Sequence, residues 1–353
     1  MRAAVLRDGT IQVRETDDPV PGQGHVLVRS LACGICASDI HFMDHPNADA
    51  DDDTGLSNYD ADADIVMGHE YCAEVVDYGP GTERKWPIGT RVSSIPALLL
   101  GDTVRVIGQS ADAPGGFGEY FLLSESMTQV VQSDLPDELV AVADAISVGW
   151  YYVSRAAVAT NEVPMVIGCG AIGLSAIASL KRLGVGPIVA VDFLASRRET
   201  ALAMGADVVV DPAQLSPYEA WRDVAFGSPE PIRDIMGLLD LPRCVVFECV
   251  GIPGVLDAII KGCERSTRIF SAGGPPDGDH LHTMVAKRKG LNIQFGGGPS
   301  ITHWNQAFEE VCSGRLDVTP RTGRIVGLDE VPSAIDDARD ANGPARIIVV
   351  PGR

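Results

Sequence analysis

The chain has 353 residues, a hydrophobic fraction of 45% and a formal net charge of −20. This length favours two domains, and the composition is that of a protein with buried cores and not of a disordered chain. So acidic a surface would repel phosphate backbones and anionic membranes, which argues against nucleic-acid and membrane partners.

The N-terminus (1–9) is typical of a strand that runs into a turn, without the apolar stretch of a signal peptide. No apolar run reaches the length of a membrane span. Eight cysteines are scattered along the chain, which in a long chain without a signal favours thiols or metal ligands over a disulfide framework. We therefore expect a cytoplasmic protein.

Two patterns follow each other along the chain. Residues 1–145 combine short β-like runs with turn signals and predict a compact β domain. From about residue 163, strands alternate with helices, which predicts βαβ units and a parallel sheet. The strands of this second region are predicted at 164–168, 187–192, 207–210, 244–248, 268–271 and 291–295. The tail, with 324–326 and 346–350, is again β-like and is expected to return to the first domain.

A glycine-rich turn follows the first strand of the second region. Its G-x-G-x-x-G pattern lies between an apolar strand and an apolar helix, the setting in which it predicts a dinucleotide site. The glycines let the backbone approach a pyrophosphate, and the helix N-terminus supplies N–H donors. The candidate residues of the turn are Gly168, Gly170, Ala171, Ile172 and Gly173.

Asp192 ends the second strand of this region, where a carboxylate can accept hydrogen bonds from the adenosine ribose hydroxyls. It would repel a 2′-phosphate, which favours NAD over NADP. Arg197 and Arg198 complicate this prediction, because a nearby arginine can accept that phosphate. Either arginine could also lie on a solvated helix face, and one of the two could only flank the adenine ribose.

Three residues of different type could bind one metal ion. A thiolate from Cys36, an imidazole from His69 and a carboxylate from Asp144 suit Zn²⁺ with its fourth position open, as in catalytic zinc sites. Each has an alternative: a buried thiol, a hydrogen-bonded core histidine, and a helix cap for Asp144. Cys33 and Cys36 could also be a redox pair, and Glu70 could be an exchangeable ligand or a charge beside the ligands.

Several segments in order resemble the zinc-dependent medium-chain alcohol dehydrogenase family. They are Gly-Ile-Cys-Ala-Ser-Asp-Ile-His (34–41), Gly-His-Glu (68–70), Gly-Gly-Phe-Gly-Glu-Tyr (115–120), the glycine-rich turn, Phe-Glu-Cys-Val-Gly (247–251) and Ser-Gly-Arg-Leu-Asp (313–317). The resemblance implies an α/β protein with a GroES-like β catalytic domain and a Rossmann domain with a doubly wound parallel sheet. The implied boundaries are 1–147 and 298–353 for the catalytic domain and 148–297 for the Rossmann domain.

The same resemblance implies roles for single residues. Cys36, His69 and Asp144 match the catalytic zinc ligands, Ser38 matches the hydroxyl that binds the substrate oxygen, and His41 matches the outer end of a proton relay. Glu70 belongs with these catalytic candidates. Further cofactor contacts are expected from Val148, Val250 and Arg346.

Two departures from the family are visible. The lobe that holds a structural zinc in many members is expected between Arg91 and Gly115, but this stretch has no cysteine, so one zinc is predicted. The gap between Cys36 and His69 is long and contains an acidic stretch (47–64). Its spaced aspartates do not match a calcium loop, and a solvated surface loop is expected.

The predicted activity is reversible hydride transfer between an alcohol and NAD, with a secondary or bulky apolar alcohol favoured because no polyol-binding side chains are evident. A zinc-free quinone or enone reductase of the same fold and an inactive nucleotide-binding protein are the alternatives. A homodimer or homotetramer is expected.

Overall fold

The computed structural model describes residues 1–45, 56, 59–227, 242–275, 278–340, 343–344 and 346–353. The chain divides into two compact units. The first comprises residues 1–144, 308–314 and 321–353, and the second comprises 145–307 and 315–320. The domain boundaries expected from the sequence, after residues 147 and 297, stay a prediction.

The first unit is mostly β-structure. Its strands are β1 (Arg2–Arg7), β2 (Thr10–Glu15), β3 (His25–Gly34), β4 (Ile65–Val66), β5 (Glu70–Tyr78), β6 (Arg91–Ser94), β7 (Ala97–Leu100), β8 (Thr103–Val106), β9 (Tyr120–Ser124), β10 (Thr128–Val130), β17 (Arg324–Val326) and β18 (Ile347–Val349). Its helices are α1 (Ala37–Asp44), α2 (Asp137–Val140) and α10 (Val331–Arg339).

The main sheet of this unit runs in the order β10-β6-β5-β3-β18-β17, with β9 also paired to β3. Strand β18 pairs antiparallel with the end of β3, so the tail returns to the first region of the chain as predicted. Strands β7 and β8 form a hairpin in the stretch where the structural-zinc lobe was expected to be missing. Apolar side chains of β3, β5 and β9 pack with those of α10 in one core.

The second unit alternates strands and helices. Its strands are β11 (Glu162–Ile167), β12 (Val189–Val191), β13 (Val208–Val210), β14 (Arg243–Glu248), β15 (Arg268–Ser271) and β16 (Asn292–Phe295). Its helices are α4 (Ala171–Arg182), α5 (Ala195–Ala203), α6 (Pro217–Phe226), α7 (Val255–Gly262) and α8 (Thr283–Lys289). Helices α3 (Ala143–Ala156) and α9 (Ile301–Cys312) contain the points at which the chain passes between the units.

These strands form one parallel sheet in the order β13-β12-β11-β14-β15-β16. This is the 3-2-1-4-5-6 order of the Rossmann fold, so the predicted α/β class is confirmed. The middle residues of the central strands β11 and β14 are buried and apolar, as expected for strands that are covered on both faces. None of the helices in the described part of the chain combines the length and the apolar character that crossing a membrane requires.

Candidate active site

Cys36 lies where strand β3 gives way to helix α1. It is the residue immediately before the helix, and its backbone N–H donates to Asp39 Oδ2 at 2.9 Å. An aspartate at the third helical position is a common way to satisfy the unpaired donors of a helix N-terminus. The cap therefore fixes the backbone that carries the Cys36 thiol.

His69 reaches the same place from the neighbouring strand. Strands β3 and β5 pair antiparallel, with Gly34 opposite Glu70, so the residues just after β3 lie beside those just before β5. Gly68 has a φ of +97°, and a β-carbon there would lie 2.6 Å from Phe117, so only glycine suits this turn. The strand register is the reason that residues more than thirty positions apart converge.

The side chains of Cys36, His69 and Glu70 form a cluster of possible metal ligands. One ligand atom from each lies within 4.8 Å of the other two, and His69 and Glu70 are buried. A sulfur, an imidazole nitrogen and a carboxylate oxygen are the donor types that zinc prefers. The donor set therefore fits the zinc ion that the sequence predicts.

Asp39 orients the imidazole of this cluster. The His69 Nδ1 atom is 2.9 Å from Asp39 Oδ1, and the Nε2 atom is 3.1 Å from Ser38 Oγ. Because Asp39 accepts from Nδ1, Nε2 is the nitrogen that remains for a cation. Burial lowers the pKa of His69, but Asp39 outweighs it and the pKa lies well above the usual value.

The carboxylate of Glu70 is paired with a buried arginine. Glu70 Oε2 lies 2.9 Å from Arg346 Nη1, although the two are not aligned as a hydrogen bond. Burial raises the pKa of Glu70, but Arg346 and His69 lower it below its ordinary value. Burial raises the pKa of the Cys36 thiol, and Glu70 adds to the increase. A bound cation would reverse this by favouring the thiolate.

Asp144, the third ligand predicted from the sequence, lies outside the cluster. It lies in the first turn of α3. Burial is the main cause of the raised pKa of Tyr71, and the charge of Asp144 adds to the increase. Its assignment as a ligand stays a prediction. The cysteines are all free thiols, including Cys33 and Cys36, which the sequence offers as an alternative redox pair.

The two relay candidates lie on one helix. Ser38 is half-buried in the first turn of α1, close to His69, whereas His41 is exposed one turn later. Residues three apart on a helix share a face. This spacing suits a path from the buried cluster to solvent.

Sequence reasoning did not single out Asp39. It is fully buried, and its two oxygens accept from both Cys36 and His69. Its position three residues after Cys36 could have indicated a helix cap, but not the contact with a histidine thirty residues further on.

We expect Asp39→Asn to lower zinc affinity by about 10- to 100-fold, the usual cost of losing a partner that orients a metal ligand. An amide has one acceptor oxygen where the carboxylate has two, so Cys36 N–H or His69 would face an N–H group. Zinc competition with a chelator of known affinity measures the change. Asp44→Asn is the control, because Asp44 is an exposed residue of the same helix that pairs with Arg339. Equal zinc affinity in the two variants would contradict the role of Asp39 in orienting His69 as a zinc ligand.

The glycine-rich turn of the second unit has the geometry of a nucleotide site. Gly168 has a φ of +92°, and a β-carbon on Gly173 would lie only 1.8 Å from the Gly168 carbonyl oxygen. A β-carbon on Gly170 would meet no heavy atom within 4 Å. Ala171 begins helix α4, and Ile172 follows it in the first turn. The backbone is therefore open where a pyrophosphate would approach.

Asp192 stands beside this turn. Its Oδ2 accepts from the Cys169 N–H at 2.8 Å, and its Oδ1 accepts from the Leu194 N–H at 2.9 Å. Arg197 Nη1 lies 3.8 Å from the same carboxylate. Arg198 instead donates to the carbonyls of Asp192 and Phe193 and pairs with Asp211. Of the two arginines, Arg197 is the neighbour of the carboxylate.

The remaining cofactor candidates fall in different units. Val148 is half-buried on α3, and Val250 follows β14 in the second unit. Arg346 precedes β18 in the first unit, where it contacts Glu70. Their contacts with a cofactor stay predictions.

Two family profiles match the chain. The profile described as alcohol dehydrogenase GroES-like domain covers residues 22–137, and the one described as zinc-binding dehydrogenase covers residues 171–312. The chain is 30% identical to (R,R)-butanediol dehydrogenase of Bacillus subtilis over 71% of its own length and 70% of that protein. It is 24% identical to sorbitol dehydrogenase of Gallus gallus over 97% and 94% of the two chains.

The fold has similar solved structures. A zinc-binding dehydrogenase of Sinorhizobium meliloti bound to NADP superimposes with a TM-score of 0.81 at 23% identity, over 99% of both chains. The chain belongs to the zinc-dependent medium-chain alcohol dehydrogenase family. It is an oxidoreductase that acts on alcohol groups and their carbonyl products.

Proposed function

We propose that this enzyme oxidises a secondary alcohol to a ketone, reversibly, with NAD as the hydride acceptor and one zinc ion in the cluster of the first unit. The observation that carries the proposal is the convergence of Cys36, His69 and Glu70, with His69 oriented by Asp39. A histidine whose second nitrogen bonds a carboxylate is the usual arrangement of a zinc ligand.

Two carboxylates compete for the third ligand position. Glu70 is already within the cluster, whereas Asp144 is the residue predicted by the family pattern. We propose Glu70 as the ligand that this chain presents, with Arg346 holding its charge in the buried site. Zinc content of Glu70→Gln compared with Asp144→Asn distinguishes the two, since removal of the true ligand lowers it more.

When bound, zinc would supply Lewis-acid polarisation of the alcohol or carbonyl oxygen. Ser38 would accept the alcohol proton at its Oγ and release its own hydroxyl proton, from a position 3.1 Å from the His69 Nε2 that would bind zinc. His41 would pass that proton to solvent from its exposed position one turn later. The nucleotide held by the second unit would accept the hydride.

The choice of NAD is supported by Asp192. Its carboxylate is buried and held by two backbone amides, and its salt bridge with Arg197 is long, at 3.8 Å. A 2′-phosphate at this position would meet a negative charge. The NADP of the Sinorhizobium meliloti structure belongs to that protein.

We expect kcat/KM to be at least about tenfold higher with NAD than with NADP, a difference of about 1.4 kcal/mol. Asp192→Asn should narrow this ratio, because the amide can still accept a backbone N–H but no longer repels the phosphate. Asp211→Asn is the matched control, since Asp211 follows the next strand and pairs with Arg198. A native enzyme that prefers NADP would refute this proposal.

The relatives support a secondary alcohol. The relatives are named for a diol, butanediol, and a polyol, sorbitol. These names favour a substrate whose secondary hydroxyl lies next to another hydroxyl. Turnover of 2,3-butanediol, sorbitol and 1-phenylethanol with NAD tests this against the bulky apolar alcohol that the sequence favours. Highest kcat/KM with 1-phenylethanol would reverse the preference for diols.

Metal analysis and turnover together test the reaction class. We expect one zinc per chain and alcohol oxidation that is lost with zinc. Reduction of an enone or quinone by zinc-free protein would instead identify the reductase, and nucleotide binding without any turnover would identify an inactive relative. We further propose a homodimer or homotetramer in the cytoplasm, which sedimentation and fractionation test.

A further inference from the structure

Glu248 is a buried carboxylate at the end of strand β14 that the proposed reaction does not use. The residue is only 2% exposed to solvent. Its Oε1 accepts from the backbone N–H groups of Val250 and Gly251 at 2.8 and 2.9 Å. Its Oε2 accepts from Ser271 Oγ, at the end of β15, at 2.7 Å. The carboxylate thus joins the ends of two neighbouring strands.

The loops that follow these strands are held against each other. The backbone carbonyl of Glu248 accepts from the Ala272 N–H at 2.9 Å. A β-carbon on Gly273 would lie 2.3 Å from the Gly251 nitrogen, so the two loops are in close backbone contact. Glu248 is the charged group at the centre of this contact.

Sheet order indicates which part of a dinucleotide these loops face. The glycine-rich turn follows β11, and Asp192 follows β12 on one side of it. With the pyrophosphate at the turn and the adenosine ribose at Asp192, the other half of the dinucleotide extends over β14 and β15. That half carries the nicotinamide.

Val250 connects the Glu248 contacts to this half of the site. A β-carbon on Gly168 would lie 2.7 Å from Val250 Cγ2, so Val250 packs directly on the first glycine of the turn. The side chain is still 39% exposed. Glu248 holds the backbone of Val250 in place. The exposed apolar side chain of Val250 is therefore fixed where the flat nicotinamide ring can pack against it.

We propose that Glu248 is a positioning residue for the nicotinamide half of the cofactor. It holds Val250 and the loops at 249–251 and 272–274 in place, and it has no role at the adenosine half. This inference rests on the proposed use of a nicotinamide dinucleotide.

Calorimetric titration of the full-length protein with NAD and, separately, with AMP tests the proposal. Glu248→Met leaves the partly buried amides of Val250 and Gly251 without their acceptor, and we expect it to weaken NAD binding by about tenfold or more. AMP binding should stay within about twofold of native, because AMP lacks the half that these loops face. Glu248→Gln keeps an acceptor oxygen and should restore most of the NAD affinity.

Ser271→Ala removes only the bond to Oε2, so it is the milder variant that decides the question if Glu248→Met does not fold. We expect weaker NAD binding with unchanged AMP binding. Unchanged NAD affinity in this variant, or equal losses for NAD and AMP in Glu248→Met, would overturn the proposal. Native protein that binds AMP but no dinucleotide would instead refute the proposed function.

Discussion

Cys36→Ser is expected to remove most of the bound zinc and to lower kcat/KM for alcohol oxidation by more than about 100-fold. Loss of a residue that only orients a ligand already costs about 10- to 100-fold, and Cys36 is itself a proposed ligand. A serine hydroxyl is a much poorer ligand than a thiolate, and the cluster of described ligand residues contains no second cysteine. Zinc content after dialysis and steady-state kinetics measure the two effects.

Cys312→Ser is the matched control for this substitution. Cys312 is a half-buried free thiol that is not part of the cluster, so its replacement should leave zinc content and turnover near native values. Thermal unfolding of both variants separates loss of metal from loss of fold. The zinc assignment fails if the Cys36 variant keeps full zinc content and native turnover.

Two alanine substitutions in the glycine-rich turn are expected to have different effects, one on both stability and NAD binding and the other on NAD binding alone. In Gly173→Ala the new β-carbon would overlap the Gly168 carbonyl, so we expect a loss of about 1–3 kcal/mol in the free energy of unfolding together with loss of NAD binding. In Gly170→Ala the new β-carbon meets no protein atom, so folding should be native. NAD affinity should still fall by about tenfold or more, because the methyl group occupies the path of the pyrophosphate.

Denaturant unfolding and NAD titration of the same preparations separate these effects. Gly298→Ala is the control, since Gly298 also has no heavy atom within 4 Å of the added β-carbon and lies outside the turn. Native NAD affinity in Gly170→Ala would mean that the pyrophosphate does not approach this backbone.

Much of the fold could be predicted because its signals are local. The apolar run before the glycine-rich turn, the turn itself and the apolar helix after it require only neighbouring residues, and they appear as β11 and α4. The later strands of the parallel sheet are also confirmed, from β14 to β16. Strand ends shifted by a residue or two, as they do where helices and strands fray.

The site could be predicted only in part. Cys36 and His69 were found because they belong to short motifs, and the register of β3 and β5 brings them together. The contacts of Asp39 with His69 and of Glu248 with Ser271 join distant segments, and no local pattern shows them. The position of Glu70 inside the cluster is likewise a contact that no local pattern shows.

The sequence by itself determined the α/β class, the nucleotide turn and the residue types of the candidate zinc site, because hydrophobic period and motif spacing are properties of neighbouring residues. Only the tertiary structure decided which carboxylates surround those residues. Strand register and helix packing set the distance between side chains that lie far apart in the chain. A carboxylate is stable in a buried position only where hydrogen-bond donors surround it. Asp39 and Glu248 are the two examples in this protein.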